Sequence, residues 1–408
     1  MNKSELSKQQ KFLIFSLFLL TFALGTSEFA IVGLLNEIAT DLHRTIAAVG
    51  SLVSAFAVAF AIGTPILTSL LSRFNKYPIM LILISFFIIA NVLSALSYNY
   101  EVLFLSRILT AIAEGVLVAY ALNIGTNDEI PNEKKGFALS MIFSGFTFSS
   151  VIGVPLGTYI GQVYGWHMTF WTTSVLGVIT LVISMSIIPR NIVGVKSSIK
   201  NQIGLFIHPQ FILAFFIPTL SIAATFIVYT YLTAIINEVL SIPLEYVSLV
   251  LLIYGIFSVI SNMIGGKIAS KNGVSKLRYI FIFQAIILAS LYVTAFSIYS
   301  AMISILLMSL VVFVQGSTSQ IYFVELAEQH FPAARDLAAS LTPVSINFGI
   351  AIGSAIGGLV ATNMGLIHVS WVGGIFALTA SFVTFLSFRL NQKVKANKYS
   401  GENGKRKF

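Results

Sequence analysis

Between Phe12 and Phe388 the chain alternates long apolar stretches with short polar connections, and charge is almost absent from the middle of each stretch. About twelve stretches run to 18 or more mostly apolar residues, long enough to cross a hydrocarbon core of roughly 30 Å as a helix. The pattern predicts spans over 12–34, 46–71, 78–97, 102–126, 136–163 and 168–189. A second set covers 210–235, 243–269, 277–297, 300–326, 337–361 and 367–389. Helix is the expected state throughout, because unpaired backbone groups cannot sit in lipid. The opening stretch from Lys11 to Gly25 has the basic flank and apolar centre of a signal peptide. Its apolar character continues to Leu35 without a clear small-residue cleavage site, so a retained first helix is expected.

The longest hydrophilic interruption inside the chain runs from Arg190 to Pro209, close to the midpoint. It divides the sequence into an N-terminal six-helix bundle (1–189), a linker (190–209), a C-terminal six-helix bundle (210–390) and a basic tail (391–408). Self-similarity supports the division. Gly153, Gly157 and Gly161 recur half a chain later as Gly349, Gly353 and Gly357, and Gly63 has its counterpart in Gly265. Glycine at intervals of four also serves close helix packing in membranes without any duplication. Two runs at near-equal offsets favour two similar bundles around a central site.

Composition agrees with the pattern: 57% of residues are apolar and 10% charged, too few charges to clothe a soluble domain of 408 residues. The net charge of +9 has an explanation in topology. Of the 24 Lys and Arg, all but Arg44 and Arg107 fall on alternate connections or the termini. Such asymmetry predicts an even number of crossings with both termini cytoplasmic. Basic loops also attract anionic lipid head groups, so nucleic acid is not an expected partner. With no cysteine, disulfides and thiolate metal sites are excluded.

No enzyme's equipment is visible. The segment "GGKIAS" lacks the spacing of a phosphate-binding loop. His43, His167, His208, His330 and His368 all lie in or beside connections and show no metal-ligand spacing. Neither a catalytic residue, a metal site nor a cofactor is expected, and an active carrier of this build would draw on an ion gradient. The informative residues are the ionisable ones inside spans, which are costly there and mark cavities or partners. Glu28 falls in the outer third of the first span; Arg107 and Glu114 share one face of the fourth, roughly 10 Å apart along the axis. Glu28 and Arg107 are expected at similar depth and Glu114 near the midplane, as a charged ladder for proton coupling. In such a site desolvation and a neighbouring guanidinium pull a carboxyl's protonation in opposite directions. Plainer roles are open to each: Arg107 snorkelling to the interface, Glu28 binding Thr26 or Ser27, and Glu114 serving structure alone. Among the polar residues Asn91, Asn123, Asn262, Gln284, Gln315, Thr318, Gln320 and Asn347, the substrate-cavity candidates are Asn123, Gln315, Thr318 and Asn347. Interhelical hydrogen bonding is their default. With 34 Phe and 15 Tyr, any cavity will be partly aromatic.

The segments "TSEFAIVGLLNEIATDL", "SRILTAIAEG", "SGFTFSSVIGVPLGTYIGQVYGW" and "NFGIAIGSAIGGLV" carry a resemblance over nearly the whole length. The chain resembles the major facilitator superfamily, in its proton-antiport branch of arabinose, purine-nucleoside and chloramphenicol-type exporters. The resemblance implies an all-α fold of twelve transmembrane helices in two pseudo-symmetric six-helix bundles, in the plasma or inner membrane. It implies small-molecule efflux against protons by alternating access, and a monomer surrounded by lipid. Gly153, Pro155, Gly157 and Gly161 are similar to the family's antiporter motif, and Arg107 falls on its fourth-helix arginine. The fifth-helix glycines are then expected to pack closely against a helix of the other half. Two departures stand out. Ser72 precedes Arg73 and Lys76 in the gating loop where an acid is usual, and Ser270 replaces its second-half counterpart. Glu325 and Asp336 are then candidates for gating, and Glu114 is an unusual addition. A gradient-independent facilitator of sugars or nucleosides and a non-transporting sensor are the competing readings.

Overall fold

The computed structural model describes residues 6–125, 130–192, 208–269, 273–330 and 335–405, with side chains of 132, 330, 335–340 and 393–405 excepted. Among the described residues there is no strand, and twelve helices are long and apolar enough to cross a membrane. In chain order they are α1 (Lys8–Gly33), α2 (Ile46–Leu71), α3 (Lys76–Ala95), α4 (Tyr100–Ile124), α5 (Glu133–Tyr164) and α6 (Trp166–Ile187). The second six are α7 (Pro209–Val239), α8 (Leu244–Ala269), α9 (Gly273–Thr294), α10 (Ile298–Gln329), α11 (Leu341–Asn363) and α12 (Leu366–Gln392). Each coincides with one apolar stretch. The expected linker falls mainly on 193–207, outside the described residues, as does the end of the basic tail.

Local chemistry sets the helix starts. Ser7 and Gln10 form a reciprocal capping box on α1, and the side chains of Thr45, Asn75 and Asn99 accept from the first free N–H groups of α2, α3 and α4. Gly165 (φ +89°) turns α5 into α6, and Gly365 (φ +104°) turns α11 into α12. Only glycine occupies that region without strain, and the two turns are equivalent under the duplication.

The packing repeats as well. In the first set α1 lies on α5 and α6, α2 on α4, and α3 on α6; in the second α7 lies on α11 and α12, α8 on α10, and α9 on α12. The sets meet through α2 with α11 and α5 with α8, two pairs that exchange when each helix is advanced by six. On the side opposite the termini one buried apolar cluster joins both sets, from Leu34, Leu35 and Ile38 to Tyr231, Ile235 and Ile236. Towards the termini each set has its own cluster, around Leu17 and Phe87 in the first and Phe281 and Phe323 in the second. The central cleft is therefore bounded by a shared apolar seal on the far side.

Three spans are irregular, α5 and α10 near mid-length and α7 where it enters the shared seal. α5 widens into a π turn at Ser149–Gly153, two residues ahead of Pro155, whose missing N–H breaks the regular ladder. α7 breaks at Thr230–Tyr231 and α10 at Val312–Phe313. The N–H freed at Phe313 donates to Ser261 Oγ of α8 at 3.0 Å, so the break is satisfied within the protein.

Candidate functional site

The charged residues of α1 and α4 come together. Arg107 is 1% exposed, Glu114 0% and Glu28 7%, so Arg107 does not snorkel to an interface. Its guanidinium donates to Ser27 Oγ (3.2 Å), the Ser27 carbonyl (2.8 Å) and the Glu28 carbonyl (3.4 Å). The rings of Phe56 and Phe170 flank it at 4.5 and 5.6 Å. Neutral acceptors and aromatic faces thus solvate this cation. Behind it, Ser27 Oγ donates to Asn91 Oδ1 (2.8 Å), which also accepts from Thr173 Oγ1 (3.0 Å). One hydrogen-bonded chain therefore ties α1, α3, α4 and α6 around Arg107.

The two carboxyls face each other and feel the guanidinium, yet neither lies within ion-pair distance of it. An exposed ion pair joins Arg44 to Glu101 at 2.7 Å, away from the cluster. Both carboxyl oxygens of Glu114 are buried, and the polar group that faces them is the Glu28 carboxyl. Past Gly33 the chain continues into a short helix, Leu35–Asp41. Glu28 stands level with Arg107, whose guanidinium reaches the Ser27 and Glu28 carbonyls, and the Glu28 carboxyl also meets that of Glu114.

The next residue of α1 looks the other way. Phe29 lines the central cleft with Ser150 of α5, Phe226 and Tyr229 of α7, Tyr254 of α8, and Val312 and Phe313 of α10. Tyr229 and Tyr254 stack at 5.0 Å, and Phe29 approaches Phe226 at 6.2 Å. The Tyr254 hydroxyl is buried and unpartnered. Each irregular span supplies a lining residue within or beside its break. None of these residues stands out in the sequence. Pro155 signals the turn at Ser150, while the breaks in α7 and α10 contain neither Pro nor Gly.

The remaining candidates lie elsewhere. Asn123, near the end of α4, accepts from the buried amine of Lys76. Arg73 is exposed on the connection before it. Gln315 is buried in α10 and accepts from Ser319 Oγ at 3.0 Å. Thr318 packs on Gly273 at the start of α9. Asn347 donates to the Pro343 carbonyl of its own helix at 3.3 Å. None of the four substrate-cavity candidates is among the seven residues of the pocket around Phe29 and Tyr254. Glu325 is exposed, and the Asp336 side chain lies outside the described residues.

The α5 glycines do not face the other half. Gly153 packs on Thr26 of α1, Gly157 on Thr169 of α6, and Gly161 on Leu34 and Thr169. The close approach between halves comes instead from Gly255 of α8, where a methyl group would sit 2.5 Å from the Ser150 carbonyl oxygen. Glycines spaced by four mark close packing without naming the partner, and here the partner is the same half.

Twelve apolar helices in two matching sets, with a pocket where the sets meet and a charged cluster buried inside the first set, define a multi-pass membrane carrier. Residues 17–334 match the family description "Major Facilitator Superfamily". The chain is 37% identical over 373 residues to "Uncharacterized MFS-type transporter YtbD" of Bacillus subtilis (strain 168), covering 91% of this chain and 94% of that one. It is 30% identical over 369 residues to "Inner membrane transport protein YdhP" of Escherichia coli (strain K12), covering 90% and 94%. The fold matches a bacterial homologue of the human lysosomal transporter Spinster in an inward-facing, unoccupied conformation (TM-score 0.74, 14% identity, 94% and 98% covered). It also matches the nucleoside transporter NupG (TM-score 0.72, 14% identity, 94% and 99% covered). The chain belongs to the Major Facilitator Superfamily and is a transporter, not an enzyme.

Proposed function

We propose that the chain is a proton-coupled exporter of the plasma or inner membrane, with both termini cytoplasmic. It moves a small organic molecule outward by rocking two six-helix halves, joined by the 190–209 linker, about the central cleft. The observation that carries this reading is the cluster of Glu28, Glu114 and Arg107, buried inside the first set of helices without an ion pair. Two carboxylates and one guanidinium leave one negative charge in excess, and a single bound proton removes it. Burying the balanced cluster costs far less than burying the unbalanced one. The conformations that differ in access to the cluster then differ in proton affinity, which is what couples transport to a proton gradient. The aromatic lining of the cleft favours an uncharged, ring-containing cargo; drugs, sugars and purine nucleosides or bases are the classes considered.

Inside-out vesicles carrying Glu114→Gln test the coupling. The variant leaves one carboxylate against one guanidinium, so the cluster is balanced without a bound proton; uphill flux driven by a proton gradient is expected to fall at least roughly tenfold, while downhill exchange of cargo persists. Undiminished uphill flux would remove Glu114 from the mechanism, and wild-type flux that survives collapse of the gradient would favour a facilitator.

A further inference from the structure

Glu37 lies in the short helix Leu35–Asp41, inside the seal that joins the two halves on the side opposite the termini. Three hydrogen bonds cross that seal around it. Asn36 donates to Asn237 (3.4 Å), Gln162 to the Leu244 carbonyl (2.9 Å), and Thr233 to the Val32 carbonyl (3.2 Å). Both carboxyl oxygens of Glu37 are buried in this network without a hydrogen-bond partner of good geometry. Gln162 is the polar side chain that reaches it, and its amide is already committed to Leu244.

Among the described residues no cation lies within ion-pair distance of the carboxyl. On its own segment Asp41 accepts from the Trp166 indole (2.8 Å), His43 is exposed, and Arg44 pairs with Glu101. α2 brings no charged residue to the seal. α5 ends there with Tyr159 and Tyr164, and α7 and α8 contribute Glu238 and Glu245, all four exposed. The two half-buried histidines on this side have other partners: His167 of α6 stacks on Trp166 and meets the Ser97 carbonyl (3.1 Å), and His368 of α12 accepts from the Trp371 indole (3.0 Å). An ionised carboxyl buried among amides and apolar side chains is costly; a neutral one is not.

We infer that Glu37 is a second proton-binding site, one that lets the outer seal close only when it is protonated. The inference rests on the orientation proposed above, which puts this seal on the outside. Burial pushes the Glu37 carboxyl above the usual carboxylate range, offset in part by its own backbone N–H and by Gln162. The sign follows: a group that binds its proton more tightly in the closed state favours closure at low external pH and opening as pH rises. The proton on Glu37 enters and leaves from the same side, so it is not counted in the transport stoichiometry. It makes the return of the empty carrier conditional on external protons, alongside the Glu28–Glu114 cluster.

The chain has no cysteine, so a single reporter reads the seal directly. Thr233→Cys, 1% exposed in the seal, is labelled with a membrane-impermeant maleimide from the outside in right-side-out vesicles. Rates are normalised to an exposed control, Tyr98→Cys (85% exposed). Between external pH 5 and 8 the normalised rate is expected to rise roughly threefold or more. With Glu37→Gln it stays low and flat; with Glu37→Asp it rises again, which excludes a folding defect as the cause. A rise retained in Glu37→Gln, no rise in the parent, or labelling only from the side of the termini would each overturn the proposal. Labelling needs neither cargo nor gradient, so a carrier that fails the flux test above still gives this result if Glu37 acts as inferred.

Discussion

At the scale of single residues the chemistry turns on how Arg107 is satisfied. Its partners are the Ser27 hydroxyl and the carbonyls of Ser27 and Glu28, reached by two guanidinium nitrogens at once. A lysine carries the charge but not the planar fork. Arg107→Lys is therefore expected to fold and reach the membrane, yet to lose at least about tenfold in proton-driven flux; normal flux would show that charge alone suffices. Asn91 is the second residue whose removal is legible. It accepts from both Ser27 and Thr173, and Asn91→Ala removes both of these interhelical hydrogen bonds, leaving Thr173 with the Phe170 carbonyl and Ser27 with Arg107. Interhelical hydrogen bonds in membranes each contribute about 0.6–2 kcal/mol. A lowered unfolding temperature in detergent with the cluster still present checks this. That ionisable residues in α1 and α4 matter was legible from their cost in lipid. The partners of Arg107 were not, because backbone carbonyls carry no mark in a sequence.

At the scale of helices, the glycine pattern and the irregular turns decide how closely spans approach. Gly255 of α8 sits against the Ser150 carbonyl at the π turn of α5. The added methyl of Gly255→Ala meets backbone that cannot move aside by a rotamer change. Overpacking of this kind costs about 1–3 kcal/mol, and it falls on the contact between halves. The expected outcome is a shift away from the conformation with α5 and α8 in contact, read as raised labelling of the Thr233→Cys reporter. Unchanged labelling would mean that the two helices part elsewhere. Helix existence followed from apolar length, whereas the breaks in α7 and α10 did not. No proline or glycine marks those breaks, and only neighbours such as Ser261 make them tolerable.

At the scale of the whole molecule, the seal opposite the termini is where the two halves share a core. Asn36 and Asn237 meet across it. The double variant Asn36→Cys with Asn237→Cys is expected to form a disulfide under oxidation and to stop transport by preventing the halves from separating there. Reductant should restore flux. Transport that continues while cross-linked would show that the seal does not open in the cycle.

Apolar run length, the clustering of cations on alternate connections and the recurring glycines determined, without coordinates, twelve helices and a duplicated plan, because lipid admits little else. Tertiary structure alone decided that the Glu28 and Glu114 carboxyls meet while the Arg107 guanidinium is held by backbone carbonyls rather than by either of them. It also decided which aromatic rings line the cleft and that Glu37 is enclosed without a counterion. Those properties belong to surfaces brought together from distant parts of the chain, and no local pattern encodes which surfaces will meet.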